Sequence, residues 1–138
     1  MSGKVSTVLG FDYGELRVGV AIGQTLTGSA RPLVTLYNRD RHCINWDAIT
    51  KLITEWQPDA LIVGMPTNDD GEPYPVAEAI KRFGNRLYGR FGLPVHYADE
   101  RLSSDEAERR LGKSSKQPID AMAATVILET WLMTHSQS

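Results

Sequence analysis

The sequence predicts an α/β fold built on a mixed five-stranded sheet of order 3-2-1-4-5 with helices on both faces. Three observations carry this. The first is the pair of short apolar runs in "VLGFDYGELRVGVAIG", which read as a hairpin. The second is "ALIVGM", Ala60 to Met65, apolar at every position, as in a strand covered on both sides. The third is the alternation of later strands with amphipathic segments, which calls for right-handed helical crossovers and parallel pairing.

The elements follow in order. Ser6 to Tyr13 reads as the first strand and Val18 to Gly23 as the second, joined by "GELR". Arg31 to Tyr37, "RPLVTLY", is a third strand, with Pro32 near its start, where proline is tolerated. Asn45 caps a helix from Trp46 to Gln57 that sets Trp46, Ile49, Ile53 and Trp56 on one face, and Pro58 stops it. "PTNDDGEP" is a turn-rich loop after the fourth strand. A helix from Pro75 to Phe91 has the inner stripe Val76, Ile80, Phe83, Leu87 and Phe91. "VHYADE" gives the fifth strand, Ser103 and Glu106 make a capping box for a short helix to Leu111, and Pro118 opens the last helix, "PIDAMAATVILETWLM".

The 138 residues suit one domain, at 41% hydrophobic and 23% charged. A net charge of -2 excludes a globally basic nucleic-acid binder, so any such partner must be met by local positive charge. The single cysteine, Cys43, excludes an internal disulfide and fits a reducing compartment. With neither a signal-peptide pattern nor an apolar run of spanning length, the expected setting is cytoplasmic, with no membrane partner.

Few acids lie at the ends of apolar elements. Asp12 closes the first strand, whose carboxyl end is the point where the sheet order reverses and where open α/β sheets bind ligands. Asp99 and Glu100 close the fifth strand, on opposite faces of it, and residue spacing does not choose between them. Asp120 stands in the first turn of a helix that is then apolar from Ala121 to Leu128, apart from Thr125. Taken singly, each could serve a turn, an ion pair or a helix dipole. Brought together, they repel unless a divalent cation intervenes. Hard oxygen donors favour Mg²⁺ or Mn²⁺, which suit phosphodiester hydrolysis. Gly14 would let a phosphate approach the backbone without meeting a Cβ.

Four stretches, "DYGELRVGVA", "VGMPTNDDG", "DERLSSDEA" and "IDAMAATVILETWL", resemble the YqgF family, also called a Holliday-junction resolvase family. The likeness runs from about Val8 to Leu132. Its members are described as nucleases that trim the precursor of small-subunit ribosomal RNA. The resemblance implies a ribonuclease H-like fold, and it implies that Asp12, Glu100 and Asp120 form the acidic, metal-holding catalytic site, choosing Glu100 over Asp99. It further implies that Asn68 and Gly71 lie in the family's loop after strand four, and that Arg101, Ser103 and Ser104 stand in its Glu-Arg-Leu-Ser-Thr run, with serine for the usual threonine. Leu16 replaces a customary lysine, leaving Arg17 to carry more of the phosphate contact. The loop "GKSSKQ" is shorter than usual, and its Lys113 and Lys116 are candidate substrate contacts. The fourth strand ends "VGMP", without the acid that true junction resolvases tend to carry there.

The function expected is a metal-dependent nuclease acting on structured RNA, a precursor of 16S ribosomal RNA, as a monomer or weak homodimer. The alternatives are a Holliday-junction resolvase acting on DNA and a non-catalytic ribosome-assembly binder. A phosphotransferase of the sugar-kinase and actin type would need a second domain. Arg82, Arg86 and Arg90 share one helix face, which reads first as a solvated surface. Tyr13 and the three tryptophans read as packing residues, and the histidines show no ligand spacing.

Overall fold

The computed structural model describes residues 7–14, 16–40, 43–65, 77–99 and 119–135. Five strands, β1 (Thr7–Tyr13), β2 (Arg17–Gln24), β3 (Ser29–Tyr37), β4 (Ala60–Met65) and β5 (Val95–Asp99), form one sheet of order β3-β2-β1-β4-β5. Strands β1, β2 and β3 pair antiparallel, whereas β4 joins β1, and β5 joins β4, in parallel. This is the order the sequence predicts. Helices α1 (Trp46–Trp56), α2 (Ala77–Phe91) and α3 (Ile119–His135) complete the described elements. The expected helix over 103–111 and the start of α2 near Pro75 lie outside the described residues.

Alternation along the strands divides the interior into two cores. On one face Leu9, Phe11, Val18, Val20, Leu61 and Val63 meet α1 and α2 through Ile49, Ile80, Phe83 and Leu87. On the other, Val8, Ala21, Ala60, Ile62 and Ala98 meet α3 through Ala124, Ile127, Leu128 and Leu132. Gly10, Ala21 and Gly23 leave room on the α3 face of the sheet, so the helix sits close. A Cβ added to Gly10 would lie 3.2 Å from Leu128 Cβ and 3.3 Å from the Ala124 carbonyl oxygen. Because α3 is apolar almost all round, its one buried hydroxyl, Thr125, donates back to the Ala121 carbonyl at 2.9 Å.

Three local features depart from expectation. Strand β3 starts at Ser29, two residues early, because β2 runs on to Gln24 and the turn between them closes with Gly28 N–H donating to Gln24 O at 2.9 Å. A bulge opposite Val20 and Ala21 absorbs Leu33, and Pro32 sits in this edge strand, where its missing N–H costs no ladder bond. Helix α1 ends at Trp56. Gln57 turns left-handed at φ 47 and donates to Ile53 O at 2.8 Å, since the residue before Pro58 is kept from the right-handed helical region.

The tryptophans divide by position. Trp131 is buried at 7% exposure. Trp46 and Trp56 are only half-buried, and each carries an arginine over its ring, Arg90 at 4.3 Å and Arg31 at 5.6 Å. An indole at the edge of a core keeps one face for such a cation. Tyr13 packs on Phe83 with ring centroids 5.0 Å apart.

Candidate functional site

Asp12 stands half-buried one residue before the end of β1. Val8 has the same strand phase and belongs to the α3 core, whereas Leu9 and Phe11 belong to the other, so Asp12 lies on the α3 face. The direction of α3 follows from its contacts. Gly10 meets Ala124 and Leu128, and Gly23, which pairs with Val8, meets Leu128 and Leu132. Moving back along β1 therefore means moving forward along α3, and the two run antiparallel. From Gly10 to Asp12 is about 6.6 Å of strand. From Ala124 back to Asp120 is about 6 Å of helix. The backbone at Asp120, in the first turn of α3, is thus level with Asp12 on one face of the sheet, at its carboxyl edge. The side chain of Asp120 lies outside the described residues.

The phase of β5 bears on the choice left open between the acids at its end. His96 stacks near Trp131 of α3, ring centroids 5.5 Å apart, and Ala98 belongs to the α3 core. The intervening Tyr97 lies against Gly84 of α2, and burial there pushes the Tyr97 phenol up from its usual pKa. On this strand the α3 face therefore belongs to even-numbered positions. Glu100 lies outside the described residues, as does the side chain of Asp99.

Gly14 has a structural reason beyond the expected approach of a phosphate. A Cβ there would lie 2.6 Å from the Arg17 carbonyl oxygen, so the β1–β2 turn closes only on glycine. Arg17 opens β2 beside this turn and is exposed. Asn68, Gly71, Arg101, Ser103, Ser104, Lys113 and Lys116 lie outside the described residues. Among the described residues no three His, Cys, Asp or Glu side chains cluster as metal ligands, since of the three expected acids only the Asp12 side chain is described.

One residue of this edge escapes sequence reading. Asn38, just past β3, accepts the Asn45 N–H at 3.0 Å through its side-chain oxygen, and its amide nitrogen reaches the Gly14 carbonyl at 3.5 Å. Its own N–H donates to the Leu16 carbonyl at 2.9 Å. Asn45 in turn caps α1, accepting the Ala48 N–H at 3.2 Å. The turn beside Asp12 is thereby tied to the start of α1. The only sequence signal is an asparagine opening a polar loop, which is too common to single out.

The family described as "RuvX: Holliday junction resolvase" matches residues 6–134. The chain belongs to this family. Among proteins similar to this RuvX member is one named "Putative pre-16S rRNA nuclease" from Paraburkholderia phymatum, 52% identical over 134 residues, covering 96% of this chain and 88% of the relative. Another of that name, from Burkholderia ambifaria, is 50% identical over 137 residues, covering 95% of this chain and 91% of the relative. Among solved structures, the T. thermophilus RuvC in complex with Holliday junction substrate superposes with a TM-score of 0.61 at 16% identity, over 93% of this chain and 94% of that one. The shared sheet identifies the RuvX fold as ribonuclease H-like, as the motifs imply. No described helix is long and apolar enough to cross a membrane.

Proposed function

We propose that this chain is a metal-dependent nuclease that trims the 5′ end of the 16S ribosomal RNA precursor in the cytoplasm. The observation that carries the reading is the register of α3 on β1, which sets the Asp120 backbone level with Asp12 at the carboxyl edge of the sheet. Relatives near 50% identity carry the corresponding name over nearly the full chain.

In this reading Asp12 and Asp120 hold a divalent cation, Mg²⁺ or Mn²⁺, and Glu100 shares it or orients the attacking water. The even-numbered phase of β5 supports Glu100 over Asp99. The donor set suits the ion, because carboxylate oxygens are hard ligands and carboxylates brought together repel unless a cation lies between them. When bound, the cation supplies a polarised water and stabilises the leaving oxygen. The chain's own groups hold the substrate. Arg17 and Arg101 neutralise phosphates beside the acids. Asn68, Ser103 and Ser104 donate hydrogen bonds to the sugar-phosphate backbone, and Lys113 and Lys116 supply further positive charge to it. Gly14 keeps the turn tight enough for a strand to pass.

Purified protein is incubated with precursor RNA and Mg²⁺ or Mn²⁺, beside an Asp12→Asn variant. The account expects cleavage to fall at least about 100-fold, as loss of ~3 kcal/mol of charge stabilisation gives. Equal cleavage by both proteins would sink it. Holliday-junction DNA is the comparison substrate, because the family's description names that activity. Preference for the junction would replace RNA trimming with resolution.

A further inference from the structure

We propose that a basic groove on the α1–α2 face is a second docking surface for the substrate strand, carrying single-stranded RNA away from the acidic edge. The proposal rests on the nuclease reading for the identity of the strand. The groove has two connected parts that share Cys43, Ile44 and Trp46 as a wall. One, of about 650 Å³, is closed on its other side by Arg86, Gly89 and Arg90 of α2. The other, of about 350 Å³, extends to Tyr37 and Arg39. Each volume falls within the roughly 300–1,000 Å³ of small-ligand sites, enough to seat a nucleotide unit.

The charge comes from two separate elements. Arg86 and Arg90 belong to α2, and Arg39 follows β3. Among the described residues no carboxylate makes an ion pair with any of the three, whereas Asp47, the acid in the lining, stands in the first turn of α1 and complements that helix. A helix stripe alone is an ordinary solvated face. Here the stripe is joined by an arginine from another element and by aromatic surface. Trp46 carries Arg90 at 4.3 Å, and Tyr37 is 63% exposed. Guanidinium groups beside the exposed Tyr37 ring suit a phosphodiester strand with an unstacked base.

The groove also reaches the acidic edge. Tyr37 pairs with Arg17 and Tyr13 pairs with Val18, so the end of β3 and the end of β1 lie on the same side of the sheet. A strand cut beside Asp12 can cross this edge at Tyr37 and Arg39 and continue between α1 and α2. The hydrogen bonds of Asn38 and Asn45 make the turn beside Asp12 and the groove's near wall one framework.

Gly89 offers a clean perturbation, since a Cβ added there meets nothing within 4 Å. Fluorescence anisotropy with labelled RNAs of about 4 and about 16 nucleotides, spanning the usual single-strand site sizes, is measured in an Asp12→Asn background to prevent cleavage. The proposal expects Gly89→Glu and Arg86→Glu each to weaken the long RNA at least about tenfold and to leave the short one within about twofold, and Arg86→Glu, which loses a cation, to lower the salt slope by roughly 0.7 or more. Lys51→Glu, on the exposed face of α1, controls for charge alone and should change neither. Circular dichroism confirms that each variant is folded. Long-RNA affinity within about twofold of the parent in both groove variants would overturn the proposal, as would an equal loss with Lys51→Glu. The cleavage assay is independent. A wild-type protein that fails to cut while groove-dependent binding persists sinks the nuclease reading and leaves the groove standing.

Discussion

Replacing Gly10 by alanine probes the contact on which the acidic edge is built. The added Cβ would lie 3.2 Å from Leu128 Cβ, 3.3 Å from the Ala124 carbonyl oxygen and 3.4 Å from Leu128 Cδ1. The first two atoms are fixed to the helix backbone, so no side-chain rotation relieves the crowding. The whole of α3 must move off β1 by a few tenths of an ångström. Overpacking of this kind costs about 1–3 kcal/mol. Alanine returns about 0.5–1 kcal/mol by restricting the unfolded chain. The net loss is therefore about 0–2.5 kcal/mol, which for a domain of this size lowers Tm by up to roughly 9 °C. Gly89→Ala is the matched control. Its Cβ meets nothing within 4 Å, so only the backbone gain remains and Tm should rise by roughly 2–4 °C. Thermal melts followed by circular dichroism read both. If Gly10→Ala raises Tm as much as Gly89→Ala does, α3 does not seat on β1 as described, and the alignment of Asp120 with Asp12 loses its basis.

Further outcomes follow from individual contacts. Asn45→Ala removes the side-chain acceptor for Ala48 N–H and should cost about 1 kcal/mol, read as a lower urea midpoint with unchanged slope. Asn38→Ala strands the Asn45 N–H and loosens the Gly14 turn. It should cost a similar ~1 kcal/mol and also slow RNA cleavage, whereas Asn45→Ala should slow it less. Burial raises the Tyr97 pKa in the folded state, so at high pH the native protein retains a proton that the unfolded chain has released. Wild type should accordingly lose stability relative to Tyr97→Phe as pH rises through 10 and above, and match its trend below. Parallel curves across that range would remove the burial argument.

Much of the architecture is legible because it rests on short-range patterning. The all-apolar run from Ala60 to Met65 reads as a strand covered on both faces, and it lies between β1 and β5. The Asn45 cap and the inner stripe Ile80, Phe83 and Leu87 are equally local and appear as read. What the residues do not reveal depends on contacts between distant segments. The choice between Asp99 and Glu100 depends on which face α3 covers, and that phase emerges only when His96 meets Trp131. Asn38 acquires its role only when the Gly14 turn comes across to it. Trp46 and Trp56 look like core residues from their spacing. They stand half-buried at the edge of the core, each under an arginine supplied by β3 or α2, which no periodicity within α1 encodes.

The most direct test of a shared cation between β1 and α3 is a Mn²⁺ titration of the RNA-bound protein followed by NMR line broadening. RNA is included because phosphate oxygens often complete such a coordination shell. The account predicts that the amides of Asp12, Asp120 and Ala121 broaden first, that Gly89 is spared, and that Asp12→Asn abolishes the effect. Broadening that leaves Asp12 and the first turn of α3 untouched, or that persists unchanged in Asp12→Asn, would contradict it.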